Sequence, residues 1–159
     1  MVSQRLLLST FHPEDDHDLM SWFPDAAALR QFAGTTLQWP LTRSQLDAIR
    51  ADPAVRAWTG WTHGVSARRV AHAELVRLDD DRFLLARVAV APRERGRGFG
   101  ATLLRQVIEN VRALRVRRLE LNVLSGNESA LRLYRSAGFE AQGTLAGDTD
   151  VLRMARSLG

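Results

Sequence analysis

The stretch Arg87–Leu104 constrains the fold of this chain more than any other segment. Residues 83–91 are apolar except for Arg87 and include two valines, which is typical of a buried strand. Pro92 cannot donate a hydrogen bond to a neighbouring strand, so it ends the run. A short loop rich in glycine and arginine follows, and an amphipathic helical pattern begins directly after it. The stretch therefore predicts a central strand, a tight basic loop and a helix in succession.

The loop has the features of an anion cradle. Its alternate glycines are Gly96, Gly98 and Gly100, and its arginines are Arg93, Arg95 and Arg97. Glycine allows tight turns and a close approach of the backbone to a ligand. The helix that follows directs its unpaired N–H groups and the positive end of its dipole into the loop. A phosphate or pyrophosphate group is the ligand that such a loop favours.

Two common phosphate-binding loops do not fit the spacing. A Walker A loop requires a lysine, and the chain contains none. A dinucleotide fingerprint requires Gly-x-Gly-x-x-Gly, whereas the glycines here alternate strictly. The segment from Arg95 to Gly100 instead reads Arg-x-x-Gly-x-Gly. This pattern resembles the acetyl-CoA signature of the GNAT N-acetyltransferase family.

The remaining patterns extend the resemblance to almost the whole chain. We predict strands over Gln4–Ser9, Val55–Thr62, Arg69–Leu78, Phe83–Ala91, Leu119–Leu124, Phe139–Leu145 and Asp150–Ala155, and helical segments over Thr10–Gly34, Thr42–Ala51, Gly98–Leu114 and Glu128–Ala137. Within the first helical segment, Pro24 is expected to interrupt the helix, and a second short helix to begin behind Asp25 as its cap. This order matches that of the GNAT fold, which is of the α/β (α+β) class. The resemblance implies a central mixed, mostly antiparallel, splayed sheet of about seven strands, flanked by about four helices. We expect one domain over residues 1–159.

A second motif lies after the glycine loop, in Asn-x-x-Ala-x-x-x-Tyr-x-x-x-Gly-Phe from Asn127 to Phe139. In combination with the loop it resembles most closely the ribosomal-protein-alanine and related small-substrate N-acetyltransferases. The resemblance implies acetyl-CoA as co-substrate, with its pantetheine arm along the central strand and against Asn127, and its pyrophosphate on the loop. The implied cofactor-binding residues are Val88, Ala89, Val90, Arg95, Gly96, Arg97, Gly98, Phe99, Gly100, Ala101 and Asn127.

Tyr134 is the candidate general acid. It is the only tyrosine in the chain, and it lies seven residues after Asn127, which is about two helical turns. Both side chains therefore project from one helix face. A phenol with a pKa of about 10 is protonated at neutral pH and can donate a proton to the departing thiolate, as the family pattern implies. The alternative is an amphipathic tyrosine of the core. A backbone N–H near Val88 would hold the developing oxyanion.

The general base is not fixed by the pattern. The ribosomal-protein enzymes that the chain resembles have a glutamate where this sequence has Asn122, which can orient water or substrate but cannot take a proton. Glu74 is the first candidate base and Glu120 the second, the latter on the same strand face as Asn122. Each could equally be an exposed strand glutamate paired with an arginine. A chain of water molecules could also carry the proton away.

Composition limits the alternatives. A 159-residue chain with 45% hydrophobic residues suits one compact domain. It has no cysteine, no run long enough for a membrane span, and no apolar signal sequence after Met1, so we expect a cytoplasmic protein without membrane contact. The histidines lack metal-ligand spacing, and no metal is expected. The net charge of +4 would suit nucleic acid or CoA and does not decide between them. The arginines are scattered without interleaved aromatic residues, and the loop cluster already has a phosphate to bind, which argues against a nucleic-acid partner.

The leading hypothesis is therefore an acetyl-CoA-dependent N-acetyltransferase that acts by direct attack of a primary amine, from a small molecule or a peptide N-terminus. The alternative is a CoA-binding regulatory or sensory module without turnover. The first helical segment carries four acidic residues that could attract a cationic amine but are expected to form a solvated face: Glu14, Asp15, Asp16 and Asp18. The sequence allows a monomer or a homodimer and does not identify the acceptor.

Overall fold

The computed structural model describes residues 5–159. Within that range the chain forms seven strands and five α-helices. In chain order they are β1 Leu7–Thr10, α1 Asp16–Ser21, α2 Ala26–Ala33, α3 Arg43–Ala51, β2 Val55–Trp61, β3 Arg69–Arg77, β4 Arg82–Val90, α4 Phe99–Ala113, β5 Arg118–Leu124, α5 Glu128–Ser136, β6 Glu140–Leu145 and β7 Asp148–Ser157. Short 3-10 turns precede α1 and follow β4. Gln4, where the first strand was predicted to begin, lies outside the described residues.

The strands form one sheet in the order β1-β2-β3-β4-β5-β7-β6. All neighbouring pairs are antiparallel except β4 and β5, which run parallel. Those two strands pair only between Arg82–Leu85 and Arg118–Leu121, near their beginnings. Beyond Leu85 the two strands no longer pair, which opens the sheet between them. The mixed, mostly antiparallel, splayed sheet that the resemblance implied is confirmed.

Two apolar clusters hold the helices against the sheet. The larger one joins α4 and α5 to the sheet, with Leu103, Val107 and Leu121 almost completely buried. The other joins α1, α2 and α3 around residues such as Leu29 and Leu46. Each helix buries one apolar stripe, as amphipathic helices on the surface of a globular protein do.

The predicted order of elements is confirmed, including the interruption of the helical segment after β1. The segment Thr10–Gly34 divides into α1 and α2 as predicted, because Pro24 follows the end of α1 and Asp25 caps α2 by accepting a hydrogen bond from the Ala28 N–H at 2.8 Å. This division gives five α-helices in the described chain where about four were expected.

The expected solvated acidic face is wrong for two of its four residues. Asp15 and Asp16 are buried, at 4% and 0% exposure, and each accepts hydrogen bonds from an arginine distant in sequence. Arg69 Nε donates to Asp15 Oδ1 at 2.6 Å, and Arg50 donates to both oxygens of Asp16 at 2.6 and 2.9 Å. Because a buried charge must be paired, these contacts tie the start of α1 to β3 and to α3.

Candidate active site

The glycine loop turns sharply between β4 and α4. Gly96 has φ +75° and Gly98, the N-cap of α4, has φ +88°, in the region that side-chain-bearing residues rarely adopt. No atom lies within 4 Å of the position that a Cβ would take at either residue. The backbone at these two glycines is therefore open to a ligand, as an anion cradle requires. Gly100 differs, because a Cβ there would come within 3.1 Å of Leu133 Cδ2 on α5.

The arginines of the loop are exposed, but one of them is partly neutralised. Glu94, only 8% exposed, accepts hydrogen bonds from Arg68 Nη2 at 2.9 Å and from Arg97 Nη1 at 3.1 Å. Arg95 Nε points back to the Val90 carbonyl oxygen at 3.4 Å. Glu94 thus positions Arg97 within the loop, a role that the glycine motif does not indicate. The sequence feature that points to this role is the position of Glu94 between two arginines, Arg93 and Arg95.

A cleft of about 600 Å³ lies between this loop and the neighbouring helices. We call it the loop cleft. The predicted residues that line it are Val88, Ala89, Val90, Arg95, Gly96, Gly98, Phe99, Gly100, Ala101, Asn127 and Tyr134. The structure therefore brings together all the predicted cofactor-binding residues except Arg97, which is held at its rim by Glu94.

Asn127 and Tyr134 reach the loop cleft from α5. Asn127 is the N-cap of this helix, and its side-chain Oδ1 accepts a hydrogen bond from the Ala130 N–H at 3.3 Å. Tyr134 is only 9% exposed, and its ring meets that of Phe139 edge-on at 6.0 Å. Burial raises the pKa of Tyr134 to about 12. The phenol is therefore protonated throughout the neutral range, as a proton donor must be.

A second cleft, of about 400 Å³, opens where β4 and β5 separate. We call it the strand cleft. Leu84–Arg87 line it from β4, and Asn122 lines it from β5. Its acidic side chains are Asp52 and Asp148, and its basic ones are Arg30 and Arg87. Asn122 thus lies at this second cleft and not at the loop cleft.

The two clefts meet at α2. Gln31 and Phe32 line both of them, and along β4 the strand cleft ends at Arg87 where the loop cleft begins at Val88. The two clefts therefore share part of their lining at α2 and adjoin each other along β4. No sequence pattern indicates a role for Gln31 and Phe32, because the position of α2 against the sheet is a tertiary feature.

The two glutamates proposed as bases lie elsewhere. Glu74 is fully buried, where the sequence pattern placed it on a polar strand face, and it lines neither cleft. Its Oε1 accepts from Arg87 Nε at 2.6 Å, and its Oε2 lies 2.7 Å from His72 Nε2. Glu120 also lines neither cleft, and its Oε2 lies 3.2 Å from Arg82 Nη1. Neither carboxylate contacts the space where an acceptor could lie.

The segment that carries the loop cleft matches a known protein family. The sequence profile of the acetyltransferase (GNAT) family matches residues 17–139, which include the glycine loop and both β4 and α5. The chain belongs to the GNAT acetyltransferase family. The GNAT family resemblance of the sequence is thereby confirmed, and the protein is an N-acetyltransferase that uses acetyl-CoA.

Solved structures with the same fold share little sequence with this GNAT chain. A spermidine N-acetyltransferase from Vibrio cholerae, in complex with CoA and spermine, superposes with a TM-score of 0.80 at 19% identity, over 96% of this chain and 95% of that one. The aminoglycoside acetyltransferase AAC(6')-Ib in complex with coenzyme A gives 0.76 at 18% identity, over 97% and 95%. A domain from Methanocaldococcus jannaschii gives 0.83 at 14% identity, over 98% and 100%.

The loop cleft suits acetyl-CoA by its chemistry. Open backbone at Gly96 and Gly98 and nearby arginines match a pyrophosphate, while Val88, Val90 and Leu133 offer an apolar wall for a pantetheine arm. Residues 5–159 contain no cluster of three or more His, Cys, Asp or Glu side chains that could hold a metal ion. No helix among them is long and apolar enough to cross a bilayer.

Proposed function

We propose that this GNAT enzyme acetylates a primary amine of a small, positively charged molecule that binds in the strand cleft. The single observation that carries the proposal is the junction of the two clefts at Arg87 and Val88. A cofactor in the loop cleft and an amine in the strand cleft would meet there for direct attack.

Two acids and two arginines line the strand cleft, but Arg87 is paired with the buried Glu74. This leaves two carboxylates against Arg30 alone and supports a cationic acceptor. Asp52 and Asp148 line the cleft, and Asp148 is only loosely paired, with 3.8 Å between its Oδ2 and Arg30 Nη2. A carboxylate with such a long contact remains available to an ammonium group. The V. cholerae relative is a spermidine enzyme in complex with spermine, and AAC(6')-Ib acts on aminoglycosides, both of which carry several amines.

A peptide N-terminus is the second candidate acceptor. It is favoured by the resemblance of the segment Leu119–Phe139 to ribosomal-protein-alanine N-acetyltransferases. That resemblance is incomplete at the strand cleft, because Asn122 replaces the glutamate expected there. Two carboxylates at the cleft wall suit a small polycation better than a single α-amino group.

The residues of the site divide the chemistry among them. Acetyl-CoA supplies an acetyl group on a thioester. The amine nitrogen forms its bond to the acetyl carbon as the carbon–sulfur bond breaks, and the Tyr134 hydroxyl gives its proton to the sulfur. A backbone N–H near Val88 faces the oxygen that gains charge. Asn122 orients a water molecule that relays the proton of the amine to solvent, because neither Glu74 nor Glu120 contacts the strand cleft. Solvent returns a proton to the Tyr134 phenolate, so each turnover yields the amide and the CoA thiol and leaves the enzyme unchanged.

The experiment is calorimetric titration with acetyl-CoA, followed by thiol-release assays on polyamines, aminoglycosides, amino acids and peptides with ribosomal-type N-termini. Turnover on polyamines or aminoglycosides supports the proposal, and turnover on peptides alone would replace it with the second candidate. Binding of acetyl-CoA without turnover on any amine would favour the regulatory module. Absence of binding would refute the placement of the cofactor in the loop cleft.

A further inference from the structure

We infer that Glu74 and Arg87 form a positioning pair that holds a bulge in β4 and so sets the backbone of Val88 for the reaction. The inference rests on the proposed function only in that β4 holds the cofactor. It gives Glu74 a role different from that of a base.

The bulge is visible in the register of β3 and β4. His72 pairs with Ala89 and Glu74 with Ala86, so two steps along β3 correspond to three along β4. The extra residue lies at Arg87–Val88, and Arg87 has φ +46°. A left-handed conformation is uncommon for a residue with a side chain and costs free energy, so it persists only where the surroundings enforce it.

The bulge lies at the point of β4 where the linings of the two clefts adjoin. Pairing of β4 with β5 stops at Leu85, two residues before Arg87. The loop cleft begins at Val88 and the strand cleft ends at Arg87. Bulges change the direction of a strand and re-aim the groups next to them. The conformation of Arg87 therefore fixes the direction in which residues 88–90 enter the loop cleft.

Three contacts enforce that conformation. Arg87 Nε donates to Glu74 Oε1 at 2.6 Å and Arg87 Nη1 donates to Thr36 Oγ1 at 3.1 Å, while Glu74 Oε2 lies 2.7 Å from His72 Nε2. The Arg87 side chain is only 12% exposed, and Glu74 and His72 are almost fully buried. A buried carboxylate without a partner is strongly unfavourable, so the Arg87 side chain stays hydrogen-bonded to Glu74. This contact in turn restrains the backbone conformation of Arg87.

The same group of residues contacts the wall shared by the clefts. The His72 ring meets Phe32 edge-on at 5.7 Å and Phe11 at 4.7 Å. Thr36 lies in the loop that follows α2. These contacts thus connect β3 with β4 and α2, the two elements at which the clefts adjoin.

The test uses Glu74→Gln, Arg87→Gly and the double variant Glu74→Gln/Arg87→Gly. Glycine adopts a positive φ without strain, and glutamine leaves no buried charge, so the double variant keeps the bulge without the pair. The measurements are the Kd of CoA by calorimetry, kcat and KM over a pH series, and the thermal midpoint. Asp16→Asn is the matched control, because Asp16 is also a buried carboxylate held by an arginine, Arg50, and lines neither cleft.

We expect Glu74→Gln to weaken CoA binding about tenfold, which corresponds to about 1.4 kcal/mol, and to lower kcat without changing the shape of the pH profile. The double variant should recover most of the CoA affinity. Asp16→Asn should lower the thermal midpoint but leave the Kd of CoA unchanged.

Three results would overturn the inference. An unchanged Kd of CoA in Glu74→Gln, with loss of the acidic limb of the pH profile, would make Glu74 a base after all. A lower thermal midpoint with unchanged Kd, kcat and pH profile would reduce the pair to a purely structural role. A double variant no better than Glu74→Gln would show that the bulge is not what the pair supplies. If the unmodified protein does not bind CoA, the proposed function fails at that first step, before any variant is compared.

Discussion

Asn127 and Tyr134 lie seven residues apart on α5, and both line the loop cleft, one from the N-cap and the other from the last turn. The first is engaged with the backbone of its own helix, whereas the second presents a protonated phenol. Of these two side chains, Tyr134 is therefore the one we propose as proton donor.

Replacement of Tyr134 by phenylalanine should remove the proton donor and little else. The ring contact with Phe139 is retained, so we expect an unchanged Kd for acetyl-CoA and a thermal midpoint close to that of the parent. Loss of a general acid should lower kcat by about 10²- to 10⁴-fold. Steady-state kinetics with the best acceptor amine checks this, and an unchanged kcat would exclude Tyr134 as the acid.

The pKa of Tyr134 can be read directly, because no other tyrosine is present. Alkaline titration of the folded protein, followed by tyrosinate absorbance, should show one transition with a midpoint at about 12. In denaturant the midpoint should return to about 10. Because the folded-state pKa is the higher one, the stabilising effect of protonated Tyr134 is complete below pH 10 and is lost as the pH rises towards 12. A single transition near pH 10 in the folded protein would show that the phenol is not buried.

Gly98→Glu should abolish CoA binding, because it places a side chain and a negative charge in the anion cradle. Gly64→Glu is the matched control, since Gly64 also has a positive φ, of +103°, and also has no atom within 4 Å of its Cβ position. Both variants carry similar backbone strain, and Gly64 lines neither cleft. Calorimetry should detect CoA binding only to the Gly64 variant. Equal affinity of the two variants for CoA would show that the pyrophosphate does not bind at the glycine loop.

Asp148→Asn should weaken binding of a cationic acceptor without affecting the cofactor. Asparagine keeps the shape of the side chain and its bond to the Asp150 N–H, at 3.1 Å, and removes the charge from the strand cleft. For a partly exposed carboxylate we expect KM for the amine to rise about fivefold, with the Kd of CoA unchanged. Asp150→Asn, at an exposed position outside the cleft, should leave both values unchanged. The same KM for the amine in Asp148→Asn and Asp150→Asn would show that Asp148 does not bind the acceptor.

The fold and the cofactor loop could be predicted because their signals are local. The spacing of Gly96 and Gly98, the proline after β4 and the apolar periodicity of α4 all lie within about 30 residues, and each dictates backbone geometry directly. The predicted bounds of most elements differ from the structure by only a few residues.

The pairing of buried charges could not be predicted in the same way. Glu74 and Asp15 are polar residues on amphipathic patterns, for which exposure is the ordinary expectation. Their partners, Arg87 and Arg69, lie 13 and 54 residues away in sequence, so the pairs depend on the register of β3 with β4 and on the docking of α1. The bulge at Arg87 has the same origin, since it exists only in the alignment of two strands.

The wall that Gln31 and Phe32 form between the two clefts has a thermodynamic consequence. A ligand that shifts α2 from either side changes the free energy of binding on the other side. Linkage then requires reciprocity: whatever factor acetyl-CoA applies to the affinity for the amine, the amine applies to the affinity for acetyl-CoA. Substitutions at these two positions should therefore alter the cooperativity between the substrates as well as each affinity alone.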